Sequence, residues 1–199
     1  RMKFTDATGQ DRLISGVFGG VEVVDEGAGG VLPHERTTPK AKTDRLDLTR
    51  ATAANMSPVW GLSLAKGLTD ALAEPAEQIA SVEVDGVTHS VERITDADRI
   101  NEICQIIGSD DVLIADGHHR YAISRSYRDE VRAAGHANSD AEYTLIFINE
   151  LVEDQLSIDA IHRLYDGVDF ETLKQDLSGC FEFSEAASPT AETLAQMVE

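Results

Sequence analysis

No apolar run in this 199-residue chain reaches the roughly 18 residues that a membrane-crossing helix requires, so no such span is expected. No secretory leader pattern opens it either. Cysteine is scarce: Cys104 and Cys180 are far apart and lie among apolar residues. That spacing predicts two buried free thiols rather than a disulfide or a metal pair, and it suits a reducing cytoplasm. Positive charge is also scarce, with 17 Lys and Arg against 36 Asp and Glu and a net charge of −19. A nucleic-acid partner is therefore not expected, because binding to a phosphate backbone rests on Lys and Arg. Internal repeats and low-complexity tracts are missing. The opening Arg1-Met2-Lys3-Phe4 reads as mid-strand and residues 191–199 as an unfinished helix, so a longer parent protein is expected. Oligomeric state is not legible.

The hydrophobic content of 42% is enough for one sizeable core with a smaller lobe. Charge is uneven along the chain. Residues 139–199 hold 14 acids against Arg163 and Lys174, whereas residues 33–50 hold five basic residues against three acids. Such a segment in an acidic chain is expected either to meet an anion or to form a solvated loop and helix face.

Periodicity predicts alternating strands and helices. Strands are expected within 12–25, at 59–63, at 112–115, at 143–149 and at 180–183. Two more at 79–84 and 87–94 flank Asp85-Gly86, a hairpin signal. Helices are expected at 42–55, 65–74, 96–107, 117–134 and 169–177, and from Pro189 onward. Residues 31–40 read as loop. Together these describe an α/β or α+β fold, a mixed sheet with flanking helices.

One junction concentrates chemistry. The apolar run Val112–Ala115 leads into Asp116-Gly117-His118-His119-Arg120, from which a helix departs. The first amides of a helix lack partners within it and carry partial positive charge, so they favour an anion. Gly117 lets a ligand approach the backbone. Arg120 offers a planar fork matched to phosphate, and His118 and His119 can move protons or bind metal. Asp116 has three available tasks: capping the helix, orienting a histidine or binding a cation. Arg125 and Arg128, further along, read as surface charges.

Four stretches, the last of them this junction, resemble successive signatures of the domain of unknown function 1015 family: Pro33-His34-Glu35-Arg36-Thr37, Lys40–Leu46, Asn55–Leu62 and Ala115–Tyr121. A fifth, Leu156–Arg163, resembles that family's later His-Arg motif, without the proline common there. The resemblance covers about residues 1–165, leaving 166–199 as a C-terminal extension. The family's Gly-His-His-Arg loop is similar to the Gly-x-x-Arg loop of the ParB/sulfiredoxin superfamily, which holds nucleotide phosphates. The resemblance therefore implies a ParB/sulfiredoxin-like core with a phosphate-binding loop at Gly117, His118, His119 and Arg120. The catalytic cysteine of sulfiredoxin has no counterpart here, so sulfinic acid reduction is not expected.

The leading expectation is a small-molecule kinase or related phosphotransferase that uses ATP or ADP with Mg²⁺. In that reading Arg120 clamps phosphate and His118 or His119 contacts the transferring group. Asp116 holds Mg²⁺ or orients a histidine, and Glu35 serves as base with His34 and Arg36 beside it. Lys40, Lys42 and Arg45 add anion contacts, and His162-Arg163 returns to the cleft. One alternative is a nucleotide-gated binding module without turnover. Another is a metal-dependent hydrolase built from His34, Glu35, Asp116, His118, His119 and His162.

Overall fold

The computed structural model describes residues 1–6, 8–35, 43–156 and 166–183. The chain divides into two compact units, Arg1–Asp159 and Ala160–Glu199.

The described residues of the first unit form two sheets. Strands β1 (Met2–Thr5), β2 (Asp11–Ile14), β6 (Glu77–Val84) and β7 (Val87–Arg93) form one sheet. Its order is β2-β1-β7-β6, antiparallel throughout. Strands β3 (Val17–Glu22), β4 (Val31–Leu32), β5 (Val59–Ser63), β8 (Val112–Asp116) and β9 (Tyr143–Glu150) form the other. Its order is β3-β9-β5-β8-β4, with β4–β8 and β5–β9 parallel and the remaining pairs antiparallel. Helices α1 (Thr43–Thr52), α2 (Leu68–Ala71), α3 (Ala97–Ile107) and α4 (His118–Ala133) flank them. This is the expected mixed α/β architecture.

The core lies against the five-stranded sheet. Val59, Leu68, Ile114 and Ile146 are fully buried, with Val23, Val112, Tyr121 and Ile148 beside them. Each such side chain contributes roughly 1.5–3 kcal/mol through burial. Alternation along β8 turns Val112 and Ile114 into this core. Tyr121 fastens α4 from within: its hydroxyl accepts from the Val24 N–H at 2.9 Å and donates to the Glu22 carbonyl at 3.3 Å. The buried Glu150 carboxylate accepts from the N–H groups of Gly67 and Thr69 at the start of α2.

Local signals account for most boundaries. Asp85 and Gly86 both adopt positive φ, 51° and 77°, as a tight hairpin turn between β6 and β7 requires. Asp96 caps α3 by accepting from the Arg99 N–H at 2.8 Å. Gly108 closes that helix with φ −73°, so no left-handed residue is involved.

Several expectations need correction. Helix α1 ends at Thr52 rather than Asn55, because Ala53 turns left-handed at φ 48°. Leu46 is half-buried and Ala53 exposed; apolar positions 46 and 48 lie two apart, which cannot build one helical stripe. The helix expected at 65–74 shrinks to Leu68–Ala71, since Gly67 at φ 96° breaks the chain direction just before it. Val31–Leu32, read as loop, makes a short parallel ladder with β8. Both cysteines are exposed, not buried. Arg128, read as a surface charge, is only 2% exposed.

In the second unit, α5 (Phe170–Leu177) is capped by Asp169, whose carboxylate accepts from the Thr172 N–H at 3.1 Å. No strand forms at 180–183; the N–H groups of Cys180 and Phe181 instead turn back to the Leu177 carbonyl. The helix expected from Pro189 lies outside the described residues. No helix among the described residues is long and apolar enough to cross a membrane.

Candidate functional site

Strand β8 ends at Asp116 and α4 begins at His118, so one residue, Gly117, makes the reversal. It does so at φ 94° and serves as the N-cap, with no side chain capping the helix and no acid in its first turn. The capping task weighed for Asp116 therefore falls to a residue without a side chain. Around this 16-residue helix start the backbone amides that lack intrahelical partners keep their partial positive charge.

Arg120 folds back across the glycine. A Cβ placed on Gly117 would lie 3.0 Å from the Arg120 Nε and 3.1 Å from its Cζ. The guanidinium donates to the Pro58 carbonyl and to the Asp116 carboxylate. Its side chain is 26% exposed, whereas that of Asp116 is 68% exposed. The fork is thus braced from below by backbone and held from outside by a solvated acid.

His118 is buried, and the Pro33–Glu35 segment is fastened to it. The His34 backbone N–H donates to His118 Nε2 at 3.3 Å, and the two rings meet edge-on with centroids 4.4 Å apart. A backbone N–H can only donate, so Nε2 is the unprotonated nitrogen and the proton sits on Nδ1. Nδ1 faces the Glu35 carboxylate at 3.5 Å.

Burial pushes the His118 pKa below its ordinary value, and the nearby His34 charge adds to that. Glu35 and Asp116 oppose the shift. A histidine harder to protonate in the fold lends stability above its ordinary pKa and loses it as pH falls through the lowered one. We expect ¹⁵N spectra at pH 7 to show His118 as the neutral Nδ1–H tautomer, titrating below about 6.5. A midpoint above that value would contradict this hydrogen-bond arrangement.

The structure brings together Glu35, His34, Asp116, Gly117, His118 and Arg120, with His119 half-buried beside them. Arg45 lies exposed on α1, and among the described residues no ion pair or side-chain hydrogen bond joins it to this cluster. Arg36, Lys40, Lys42, His162 and Arg163 fall outside the described residues. Among the described residues no group of three or more His, Cys, Asp or Glu is arranged to hold a metal ion. A nucleotide-borne Mg²⁺ needs only one or two protein carboxylates beside the phosphates, and the solvated Asp116 meets that smaller demand.

Three contributors escaped the sequence reading. The Pro58 carbonyl anchors Arg120, a task that the signature Asn55–Leu62 does not announce. The other two are Ser124 and Thr144, hydrogen-bonded at 2.8 Å; Thr144 also donates to the Asn55 side chain at 2.9 Å. This chain of hydroxyls ties α4 to β9 and to the 55–58 turn. Hydroxyls on a helix and a strand carry no sequence signal of their own, and only their meeting in space gives them a role. Three of the sequence signatures, at 33–35, 55–62 and 115–121, therefore converge on the start of α4.

No curated protein and no solved structure matches the chain. The model of one family, described as Protein of unknown function (DUF1015), matches residues 1–198, and the chain belongs to that family.

Proposed function

We propose that the start of α4 is a phosphate-binding loop and that the protein is a nucleotide-using phosphotransferase of the small-molecule kinase type. The observation that carries this reading is the uncapped, acid-free helix start at Gly117 with the Arg120 guanidinium laid across it. Helix amides and an arginine fork together favour a phosphate group. The loop's similarity to the Gly-x-x-Arg loop of ParB/sulfiredoxin-like proteins supports the same reading, and with it a core of that kind.

Phosphoryl transfer asks the protein mainly for positioning and charge. Arg120 and the first-turn amides of α4 clamp phosphate oxygens. Arriving phosphate displaces the Asp116 carboxylate from the guanidinium, which frees Asp116 to meet a nucleotide-borne Mg²⁺. His119 contacts the transferring group. The buried His118 is a positioning residue: it fixes the His34–Glu35 segment over the loop. The Glu35 carboxylate, 62% exposed, is then placed to take a proton from an acceptor hydroxyl.

Titrating ATP, ADP and CTP with Mg²⁺ against thermal unfolding tests this reading. A bound nucleotide at 100 times its Kd stabilises by about 2.7 kcal/mol. We expect such a shift in the wild type, none in Arg120→Ala, and a retained shift with weakened Mg²⁺ dependence in Asp116→Asn. An Arg120→Ala protein that responds like the wild type would remove the arginine from the site. Product formed over hours marks a transferase, whereas binding without product marks a nucleotide-gated module.

A further inference from the structure

A cavity lies apart from the α4 start. It has a volume of about 750 Å³ and is enclosed by β3, β7, β9 and α3. Its walls are aliphatic and aromatic: Phe18, Val91, Ile100, Ile103 and Phe147 all contribute. Phe18, Val91 and Ile100 are 55%, 48% and 40% exposed, so apolar surface stays wet where the cavity opens. That volume and lining match a small-molecule site, which is typically mostly apolar with a few placed polar groups.

The polar groups there are unusual for this molecule. In a chain of net charge −19, Arg1, Arg93 and Arg99 border the cavity against Glu22 and Glu92. Arg1 is neutralised by Glu92 at 2.9 Å, and Arg93 by Glu77 at 2.7 Å. Arg99 is not. Its guanidinium donates to the backbone carbonyls of Ala71, Glu74 and Pro75, and it forms no ion pair among the described residues. Its Nε is buried without an acceptor. A shielded donor left unpaired is costly, more so when charged; the three carbonyls satisfy the outer nitrogens of Arg99 but bring it no counter-charge.

We propose that this cavity binds a monoanionic aliphatic amphiphile, a free medium-chain carboxylic acid. Its carboxylate meets Arg99, and its chain lies along Phe18, Val91, Ile100 and Phe147. A carboxylate in the cavity supplies the counter-charge that Arg99 lacks, and the alkyl chain removes the exposed apolar surface from water.

Cys104 also lines the cavity and is exposed, so its alkylation rate reports occupancy once Cys180→Ser removes the other thiol. Decanoate is expected to saturate the full chain, slow Cys104 alkylation and bind more tightly than 1-decanol in calorimetry. Arg99→Gln is expected to weaken decanoate about tenfold, the worth of one charged hydrogen bond, and to leave decanol unchanged. Because Arg99 also braces the end of α2, Ile100→Trp serves as a second variant. It fills the mouth from an exposed position and should weaken both ligands. The proposal is overturned if decanoate neither binds nor protects Cys104, or if Arg99→Gln weakens both ligands alike. It is equally overturned if only phosphatidylglycerol vesicles, and not the free acid, bind the protein.

Discussion

Gly117→Val is expected to abolish nucleotide-induced stabilisation and to cost about 1–3 kcal/mol of folding stability, the range for a side-chain-bearing residue held at positive φ. Two independent effects meet at this position. The backbone turns at φ 94°, which a β-branched residue resists, and any Cβ arrives 3.0–3.2 Å from three atoms of the Arg120 guanidinium. Gly117→Asn separates them, because asparagine tolerates the left-handed region yet still carries the intruding Cβ. We expect Asn to recover much of the stability but not the ligand response. Urea unfolding with and without saturating Mg²⁺-nucleotide reads both. A Gly117→Val protein that keeps the full ligand shift would show that the glycine's openness has nothing to do with binding.

The junction was legible because its signals are local. A continuous apolar run at 112–115, a glycine and a helical period after it are neighbours in sequence, and β8, Gly117 and α4 follow in that order. The same holds for the hairpin at Asp85-Gly86 and the Asp96 cap. Where local evidence was thin, boundaries moved. Residues 180–183 have strand-forming side chains, but strand propensity takes effect only beside a partner ladder. The helix expected at 65–74 starts only after Gly67, whose φ of 96° interrupts it.

What stayed hidden depends on meetings across the chain. Nothing in His34 or His118 alone says that the N–H of one meets the ring of the other, 84 positions away. Sequence placed both in a candidate site, but with interchangeable chemical tasks for the two histidines of the loop. Burial separates those tasks: His118 is 5% exposed and fastens a neighbouring segment. Cys104 and Arg128 erred in opposite directions for one reason. Apolar neighbours in sequence point to a buried Cys104 and charge to an exposed Arg128, whereas burial is decided by which face of α3 or α4 the position occupies.

Arg128 therefore carries the second large prediction: Arg128→Ala is expected to destabilise the protein by about 3 kcal/mol in urea unfolding. The buried guanidinium donates to the Val23 carbonyl and to the carboxylates of Asp25 and Asp129, at 2.5 and 2.7 Å. Those carboxylates are 74% and 58% exposed, so both return to water at little cost when the arginine is removed. The Val23 carbonyl belongs to a residue 1% exposed, and an acceptor left unpaired there costs about 1–3 kcal/mol. The lost side-chain stem leaves a void that adds to this. Arg128→Met should recover the void but not the hydrogen bond, and so fall between the other two. The hydrogen bond from Arg128 holds the Asp25 carboxyl below the usual carboxylate range. A depressed carboxylate lends stability above its unfolded pKa and loses it as pH falls, so the gap between wild type and Arg128→Ala should narrow below about pH 4. If Arg128→Ala unfolds at the wild-type urea concentration, the guanidinium adds nothing net and α4 is held to the β3–β4 segment by other ties, among them Tyr121 and the Arg125–Glu26 ion pair.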